Sequence, residues 1–261
     1  MTDFTEANRK YFDKMATEYK DTFANAMKTL SEETLNHRLW LSDRWADTET
    51  GKDNDVKMLE YACGPGVISM TLAPYLSKVV GIDVSDNMIE EFNRNAKMIG
   101  IDDKMVGYKA DLLSDSVPDE FSGPEYTEFD MVAVSMALHH FEYPQMALQR
   151  LGSRLKKGGV CMIIDILSRS GHDHGHGGGH DHGHSHGHGH GHGEGQHGHN
   201  FGEAAHTVKT HGFSREDMQK LFEGAGLDHG FKYEVIPEQL VFNKGEKTHS
   251  VTVFIARAQR S

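Results

Sequence analysis

The stretch "LEYACGPGVISM", residues 59–70, decides the fold. A short apolar run carrying Glu60 ends in a Cys-Gly-Pro-Gly bend, and a helical pattern begins directly after it. Gly64 and Gly66 remove the side chains that would keep a ligand away from the backbone, and Pro65 stiffens the turn by fixing its own φ. A strand that turns this tightly into a helix presents unpaired N–H groups, so the bend is a candidate ligand site.

Short apolar runs alternate with helical stretches on both sides of the bend. The runs that read as strands are VKMLEYA, KVVGIDV, MVGYKADLL, FDMVAVSMAL and GVCMIIDIL. Strands joined by helices pair in parallel, since a crossover helix returns the chain to the same edge. Two later runs, FKYEVIPEQLVF and SVTVFIARA, indicate a terminal hairpin. The sequence therefore predicts an α/β fold: a doubly wound, Rossmann-like, mostly parallel seven-stranded sheet with a C-terminal antiparallel hairpin and an N-terminal helical extension.

Composition divides the chain into unlike parts. Residues 1–55 have helical apolar spacing and are predicted to form an N-terminal helical lid or extension, and residues 56–261 form the α/β domain. Within that domain, residues 171–200 consist mainly of histidine and glycine and contain no core-forming side chain. Such a segment cannot offset its ordering entropy, so we expect a disordered insertion there.

Charge and cysteine content narrow the choice of partners and compartments. The formal charge of -12 over 261 residues opposes binding to phosphate backbones, which makes nucleic acid a poor candidate partner. Cys63 and Cys161 both lie in apolar segments rather than at the spacings of a disulfide framework. No apolar run approaches the length of a membrane span. These features predict a cytoplasmic or nucleocytoplasmic protein without a membrane span.

Carboxylates at the strand ends indicate a nucleoside ligand. Asp83 closes the second strand, where its two oxygens can accept hydrogen bonds from a ribose diol. A nicotinamide dinucleotide site needs a third glycine in the bend, and this chain has Ser69 there. S-adenosylmethionine carries a sulfonium and no phosphate, so a carboxylate such as Glu60 suits it better.

Five segments together resemble a known family. In order and spacing, LEYACGPG, VVGIDVSDNM, KADLL, VSMALHHF and RLKKGG resemble the class I S-adenosylmethionine-dependent methyltransferases, especially the small-molecule subgroup with the ubiquinone and menaquinone biosynthesis enzymes. The resemblance covers residues 56–167 and extends more weakly to residue 255. It implies direct displacement of a methyl group from S-adenosylmethionine to a small-molecule or protein acceptor. One departure is Ala62, where the family usually has glycine; alanine fits there if its φ is negative.

The resemblance also implies roles for individual residues. Asp83 would hold the ribose hydroxyls, Met88 would pack on the adenine and Asp111 would receive the adenine amino group. Glu60 and the two glycines of the bend would surround the methionine moiety, and Tyr19 would close over the cofactor from the N-terminal lid. The predicted cofactor-binding residues are Tyr19, Glu60, Gly64, Gly66, Asp83, Met88, Asp111, Leu112 and Ser135.

His139 and His140 follow the fourth strand and are the candidate catalytic residues. Either one is suited to act as a general base, since a histidine titrates near working pH. A structural role for the pair is the other interpretation, which occurs often in the resembling families. If neither histidine acts as a base, the alternative function is a non-catalytic cofactor-binding or metal-binding partner subunit of a methyltransferase complex. Dehydrogenase activity is a third and more distant alternative.

The histidine tract is a candidate metal-binding segment. Neutral imidazoles bind Zn or Ni, but alternation with glycine fixes no geometry, so we expect such a metal to be non-catalytic. An insertion without a selected task is the alternative. The tract or the N-terminal helices are also the candidate surfaces for a protein partner. The candidate metal ligands are His172, His174, His176, His180, His182, His184, His186, His188, His190 and His192.

Overall fold

The computed structural model describes residues 1–168, 202–244 and 247–261, so the predicted insertion at 171–200 lies outside the described residues. The helices are α1 (Asp3–Asn36), α2 (Arg38–Leu41), α3 (Val67–Leu72), α4 (Asp86–Met98), α5 (Pro144–Gly152) and α6 (Arg215–Gly224). The strands are β1 (Lys57–Tyr61), β2 (Lys78–Asp83), β3 (Met105–Lys109), β4 (Phe129–Ser135), β5 (Leu155–Ile166), β6 (His229–Val235), β7 (Leu240–Lys244), β8 (Lys247–Val251) and β9 (Val253–Gln259).

The main sheet has the predicted seven strands, in the order β3-β2-β1-β4-β5-β9-β6. Strands β1 to β5 are parallel to one another, and β9 runs antiparallel to both β5 and β6. The strand order reverses between β1 and β4, so a crevice opens beyond their carboxyl ends, which is where open α/β sheets bind ligands. The predicted mostly parallel sheet with an antiparallel terminal hairpin is confirmed.

The terminal hairpin differs from the prediction in detail. Each of the two predicted strands divides: β6 and β9 join the main sheet, while the chain between them forms a separate pair, β7 with β8. The first predicted run contains Pro237, which has no N–H to donate to a ladder, and β6 ends before it at Val235. Proline therefore divides one apolar run into two strands.

Side chains alternate along the central strands and bury both faces of the sheet. In β4, Met131 and Ala133 join the core beneath α1, α3 and α4, whereas Val132 and Val134 join the core beneath α5 and α6. Strands buried on both faces read as continuous apolar runs, which explains the pattern in the sequence. Helix α4 begins after a polar cap, Ser85, whose Oγ accepts a hydrogen bond from the Met88 N–H.

Helix α1 covers the edge of the sheet where the strands end. Its buried residues include Ala16, Ala26 and Leu30, the last two within the core shared with α3 and α4. Ser31 Oγ lies 2.6 Å from Thr71 Oγ1, next to the end of α3. In the part of the chain that the structure describes, no helix combines the length and apolar content needed to cross a bilayer.

Three glycines form a cradle for the ring of Phe92, which is fully buried. A Cβ added at Gly81 would lie 2.5 Å from Phe92 Cε2, one at Gly66 would lie 2.7 Å from Phe92 Cδ2, and one at Gly107 would lie 2.8 Å from Phe92 Cδ1. The ring thus lies against β2, β3 and the bend after β1 together. This aromatic side chain of α4 fixes the helix against the strand ends that carry the candidate site.

We expect Gly81→Ala to destabilise the protein by about 1–3 kcal/mol, because the new methyl group overpacks the Phe92 ring. The double variant Gly81→Ala/Phe92→Leu should recover part of that loss, since the smaller side chain makes room. Urea unfolding of the wild type, both single variants and the double variant measures the coupling. If the two substitutions lowered the free energy of unfolding additively, the Phe92 ring would not be the group that the new methyl group overpacks.

Candidate active site

A cavity of about 840 Å³ lies at the carboxyl edge of the sheet, under α1 and beside the start of α5. Most of the predicted cofactor residues line it, namely Tyr19, Gly64, Asp83, Met88, Asp111 and Ser135. Glu60, Gly66 and Leu112 lie outside its lining. Of the two candidate bases, His140 lines the cavity and His139 does not.

Asp83 joins the two loops at the centre of the site. Its Oδ2 accepts a hydrogen bond of 2.9 Å from the Gly64 N–H, and its Oδ1 accepts one of 2.9 Å from the Ser85 N–H. The residue is buried, and that burial raises the pKa of its carboxyl despite the two N–H donors. Each carboxylate oxygen has a second lone-pair direction, so Asp83 can still accept hydroxyl groups from the cavity.

The bend after β1 has three residues in the left-handed region, Ala62, Gly64 and Gly66. Gly64 has φ +49°, and a Cβ added there would meet no atom within 4 Å, so the cavity reaches the backbone itself. Ala62 has φ +54°, so the condition under which an alanine would fit here, a negative φ, is not met. The left-handed conformation costs an L-residue roughly 1–2 kcal/mol, so the turn is strained where the resembling family usually has glycine.

Glu60 is directed away from the cavity and holds the start of α3. It is buried, with Oε2 accepting hydrogen bonds from the Ser69 N–H at 2.9 Å and from Ser69 Oγ at 2.5 Å. The N-cap of this helix is Gly66, which has no side chain to accept those donors. Glu60 thus supplies the missing cap, and Ser69, at the place of a third glycine, is its partner. Burial raises the pKa of Glu60 to about 8.

Asp111 lies two residues beyond β3 and faces the cavity from the far side. Its Oδ1 accepts a hydrogen bond of 3.0 Å from the Leu113 N–H and one of 3.4 Å from the Tyr61 hydroxyl. The neighbouring Leu112 is fully buried in the core beneath α5 and α6. Met88 is also buried, but it reaches the cavity wall next to Asp83 and Gly64.

The two adjacent histidines have different partners. His139 is buried, and its Nδ1 donates to Asp165 Oδ1 at 2.7 Å while its backbone N–H donates to Asp165 Oδ2 at 3.2 Å. His140 Nδ1 donates to the Thr207 carbonyl at 2.7 Å, and its ring contacts the edge of Phe12 with centroids 5.2 Å apart. His139 is therefore fixed to the core, and His140 faces the cavity.

The protonation of His140 follows from these contacts. A carbonyl oxygen only accepts hydrogen bonds, so the Nδ1 of His140 carries a proton. Burial, followed by the nearby His139, holds the pKa of His140 well below its usual value of 6.5. The ring is consequently neutral at neutral pH, with an unprotonated Nε2 that can accept a proton.

Sequence reasoning missed the residues that attach α1 to the site. Asp13 Oδ1 accepts from Ser85 Oγ at 2.6 Å and from the Asn87 N–H at 3.2 Å, and Asn87 Nδ2 donates to the Asp13 carbonyl. Helix α1 is thereby fastened to the start of α4, directly after Asp83. No spacing in the sequence links residue 13 to residue 85, so only the fold reveals this contact.

The predicted metal ligands, which run from His172 to His192, lie outside the described residues. Over residues 1–168, 202–244 and 247–261, no group of three or more His, Cys, Asp or Glu side chains is arranged to hold a metal ion.

A parallel sheet of this order, with a glycine bend and a carboxylate at its switch point, is typical of α/β proteins that bind a nucleotide or nucleoside cofactor. A family model described as "Methyltransferase domain" matches residues 12–229. The chain belongs to this methyltransferase domain family.

Individual relatives agree with this assignment. An uncharacterized methyltransferase of Schizosaccharomyces pombe is 34% identical over 117 residues, which cover 44% of this chain and 40% of that protein. The mitochondrial ubiquinone biosynthesis O-methyltransferase of Candida albicans is 31% identical over 109 residues, or 41% of this chain and 31% of that protein. The chain thus spans less than half the length of these relatives.

Solved structures show the same fold. Magnesium protoporphyrin IX methyltransferase from Synechocystis PCC 6803 with bound SAM superposes with a TM-score of 0.58 at 14% identity, covering 100% of this chain and 99% of that chain. The DhpI–SAH complex superposes with a TM-score of 0.59 at 18% identity, covering 98% of this chain and 97% of that chain.

The raised pKa of Glu60 predicts a pH dependence of stability. Because the native state retains a proton that the unfolded state releases, its contribution is complete below pH 4.5 and is lost as the pH rises to about 8. Glu60→Gln should therefore remove a decline on the order of 3–4 kcal/mol between these limits. Urea unfolding at several pH values measures it.

Glu90→Gln, on the exposed face of α4, is the matched control and should keep the wild-type slope. The histidine tract is present in all three proteins, so its titration cancels in the comparison. If the free energy of unfolding fell with pH equally in the wild type and in Glu60→Gln, the raised pKa assigned to Glu60 would be wrong.

Proposed function

We propose that the chain is an S-adenosylmethionine-dependent methyltransferase that acts on a small-molecule acceptor by direct displacement. The observation that carries this proposal is the cavity at the switch point of the sheet, with Asp83 and Gly64 in its wall, in a chain of the methyltransferase domain family. A volume of about 840 Å³ lies near the upper end of the range for small-molecule sites, which leaves room for a cofactor and a small acceptor together.

The residues present fit the cofactor. Asp83 has open lone pairs for the ribose diol, and Asp111 Oδ2 can accept from an adenine amino group. Gly64 leaves its backbone accessible, and Ser135 Oγ is buried at the cavity wall without a partner among the described residues. Tyr19 covers the bend, and its burial raises the pKa of its phenol to about 12, so it stays a neutral donor. Glu60, Gly66 and Leu112 support the site from outside the cavity.

When bound, the cofactor's sulfonium supplies an already activated methyl group. The chain's own residues must align the acceptor, exclude water and accept a proton. Helix α1 covers the cavity and is fastened by Asp13. His140 is the proposed base, since its Nε2 is unprotonated and its ring is held by Thr207 and Phe12. We propose a positioning role for His139, fixed by Asp165.

The domain division, the location, metal binding and the protein partner are proposed from the sequence. The lid is proposed to comprise residues 1–55 and the catalytic domain residues 56–261. A cytoplasmic or nucleocytoplasmic location is supported by the acidic charge and the two buried thiols. Zn or Ni binding by the histidine tract, and a protein partner on that tract or on the N-terminal helices, remain proposals separate from the reaction.

One observation supports the non-catalytic alternative. Ala62 lines the cavity at a φ of +54°, where the resembling family usually has glycine. A subunit that binds the cofactor without turnover would tolerate such a change. Methyl transfer by the isolated chain would exclude this alternative.

We expect Asp83→Asn to weaken S-adenosylmethionine binding by roughly tenfold to a hundredfold, because the diol loses a charged acceptor. Isothermal titration calorimetry measures the affinity, and circular dichroism checks the fold. The matched control is Asp86→Asn, three residues further on, whose carboxylate pairs with Lys109 at the surface. If Asp83→Asn bound the cofactor as tightly as the wild type, the assigned cofactor site would be wrong.

His140→Gln should lower kcat about 10²–10⁴-fold, because the variant has no group to accept the proton, and should leave cofactor affinity unchanged. Wild-type activity should persist below pH 6.5 and fall only where Nε2 becomes protonated. Transfer of isotopically labelled methyl groups to a cell extract measures the rate. His229→Gln, at the surface beside Asp228, is the control and should match the wild type. An unchanged rate in His140→Gln would remove His140 as the base.

A further inference from the structure

The wall of the cavity near His140 has two oxygen atoms, Asn8 Oδ1 and Glu142 Oε2, that have no hydrogen-bond donor among the described residues. Asn8 lies one helical turn before Phe12 on the same face of α1, and the Phe12 ring contacts His140. Glu142 lies two residues after His140. Both Asn8 and Glu142 line the cavity, so they flank the proposed base from two different elements.

Asn8 presents an oxygen rather than a nitrogen at this place. Its Nδ2 donates to the Phe4 carbonyl at 3.0 Å, and because a carbonyl cannot donate, the amide cannot be flipped. The residue is 6% exposed, and its Oδ1 has no hydrogen-bond partner among the described residues. A buried acceptor without a donor is unfavourable, and a donor on a bound ligand would remove that penalty.

Glu142 adds a carboxylate that forms no ion pair with the described residues, although the Tyr143 side chain hydrogen-bonds to it. Its Oε2 is withdrawn from solvent and has no hydrogen-bond partner within the part of the chain that the structure describes. The other carboxylate on this side, Asp115, is paired with Arg150 at 2.6 Å. The His140 Nε2 is a further acceptor here, because Nδ1 carries the proton.

The rest of the wall excludes anions and suits cations. Among the described lining residues there is no lysine or arginine, whereas the carboxylates of Asp83, Asp111 and Glu142 all line the cavity. Aromatic rings complete the wall on this side, and their faces attract organic cations. They are Phe12, Tyr61, Phe141 and Tyr143.

We infer that the methyl acceptor is a small organic amine, bound as its ammonium cation by Glu142 and Asn8 beside His140. Because an ammonium nitrogen has no lone pair, His140 Nε2 would first accept one of its protons. The amine lone pair would then form the bond to the methyl carbon as the bond from that carbon to sulfur breaks, leaving a neutral thioether. The inference rests on the proposed function, since it names the class of substrate for the same cavity. An ammonium group offers the donors that both oxygens lack, and its charge compensates the carboxylate of Glu142. Carboxylic acids and phosphate esters are disfavoured as acceptors, because the described lining residues include no lysine or arginine and the N-terminal ammonium of Met1 already lies 3.8 Å from Asp111 Oδ2.

The test separates possible acceptors by charge before the reaction. A low-molecular-mass cell extract is passed over a cation-exchange resin at neutral pH, and the retained and flow-through fractions are each incubated with the full chain and methyl-labelled S-adenosylmethionine. We expect labelled products from the retained fraction alone. Label arising from the flow-through fraction would overturn the inference. Label in neither fraction would overturn it too, provided that calorimetry shows cofactor binding.

Two variants localise the effect. Glu142→Gln should raise the amount of retained fraction needed for half-maximal labelling by roughly tenfold or more, and Asn8→Leu should raise it less, because only Glu142 loses a charge. Glu90→Gln is the control for removal of a surface charge. Cofactor affinity, measured by calorimetry on each folded variant, should match that of the wild type.

Two results would separate the inference from the function on which it rests. If both variants weakened S-adenosylmethionine binding as much as acceptor use, the two oxygens would hold the cofactor's own ammonium group, and the inference alone would fall. Unchanged acceptor use in Glu142→Gln would likewise overturn it. Failure of the wild-type chain to bind S-adenosylmethionine would instead overturn the proposed function.

Discussion

The carboxylate of Asp83 is the constraint on which the site depends. Its two oxygens hold the Gly64 N–H and the Ser85 N–H, so one side chain at the end of β2 fixes both the bend after β1 and the start of α4. Burial raises its pKa, so these N–H donors offset only part of the cost of placing a charge there. Each oxygen keeps a second lone pair, so the side chain that fixes both loops is also available for the proposed ligand.

The cover of the site depends on the same loop. Ser85 caps α4 with its Oγ and also donates that hydroxyl to Asp13, so the cap of one helix is the anchor of another. The end of helix α1 that covers the cavity is therefore attached to the loop that Asp83 shapes. This coupling explains how an N-terminal helix that is distant in sequence takes part in a site formed by strand ends.

The sequence was sufficient for features that depend on neighbouring residues. Apolar runs predicted the central strands, and the glycine bend predicted where α3 begins. The sequence did not reveal features that depend on contacts between distant residues. Glu60 is turned to Ser69 rather than to the cavity, and Ala62 has a positive φ that no local pattern indicates.

The histidine pair shows most clearly why a motif does not assign a role. His139 and His140 are adjacent and chemically identical, yet their partners come from distant parts of the chain: Asp165 for the first, and Thr207 for the second. The carboxylate fixes His139 in the core, whereas the carbonyl leaves the other nitrogen of His140 unprotonated at the cavity. A base must face its substrate with an open lone pair, and only His140 meets both conditions. The hydrogen-bond partner of each Nδ1 therefore decides which of the two histidines is suited to the proposed role of base.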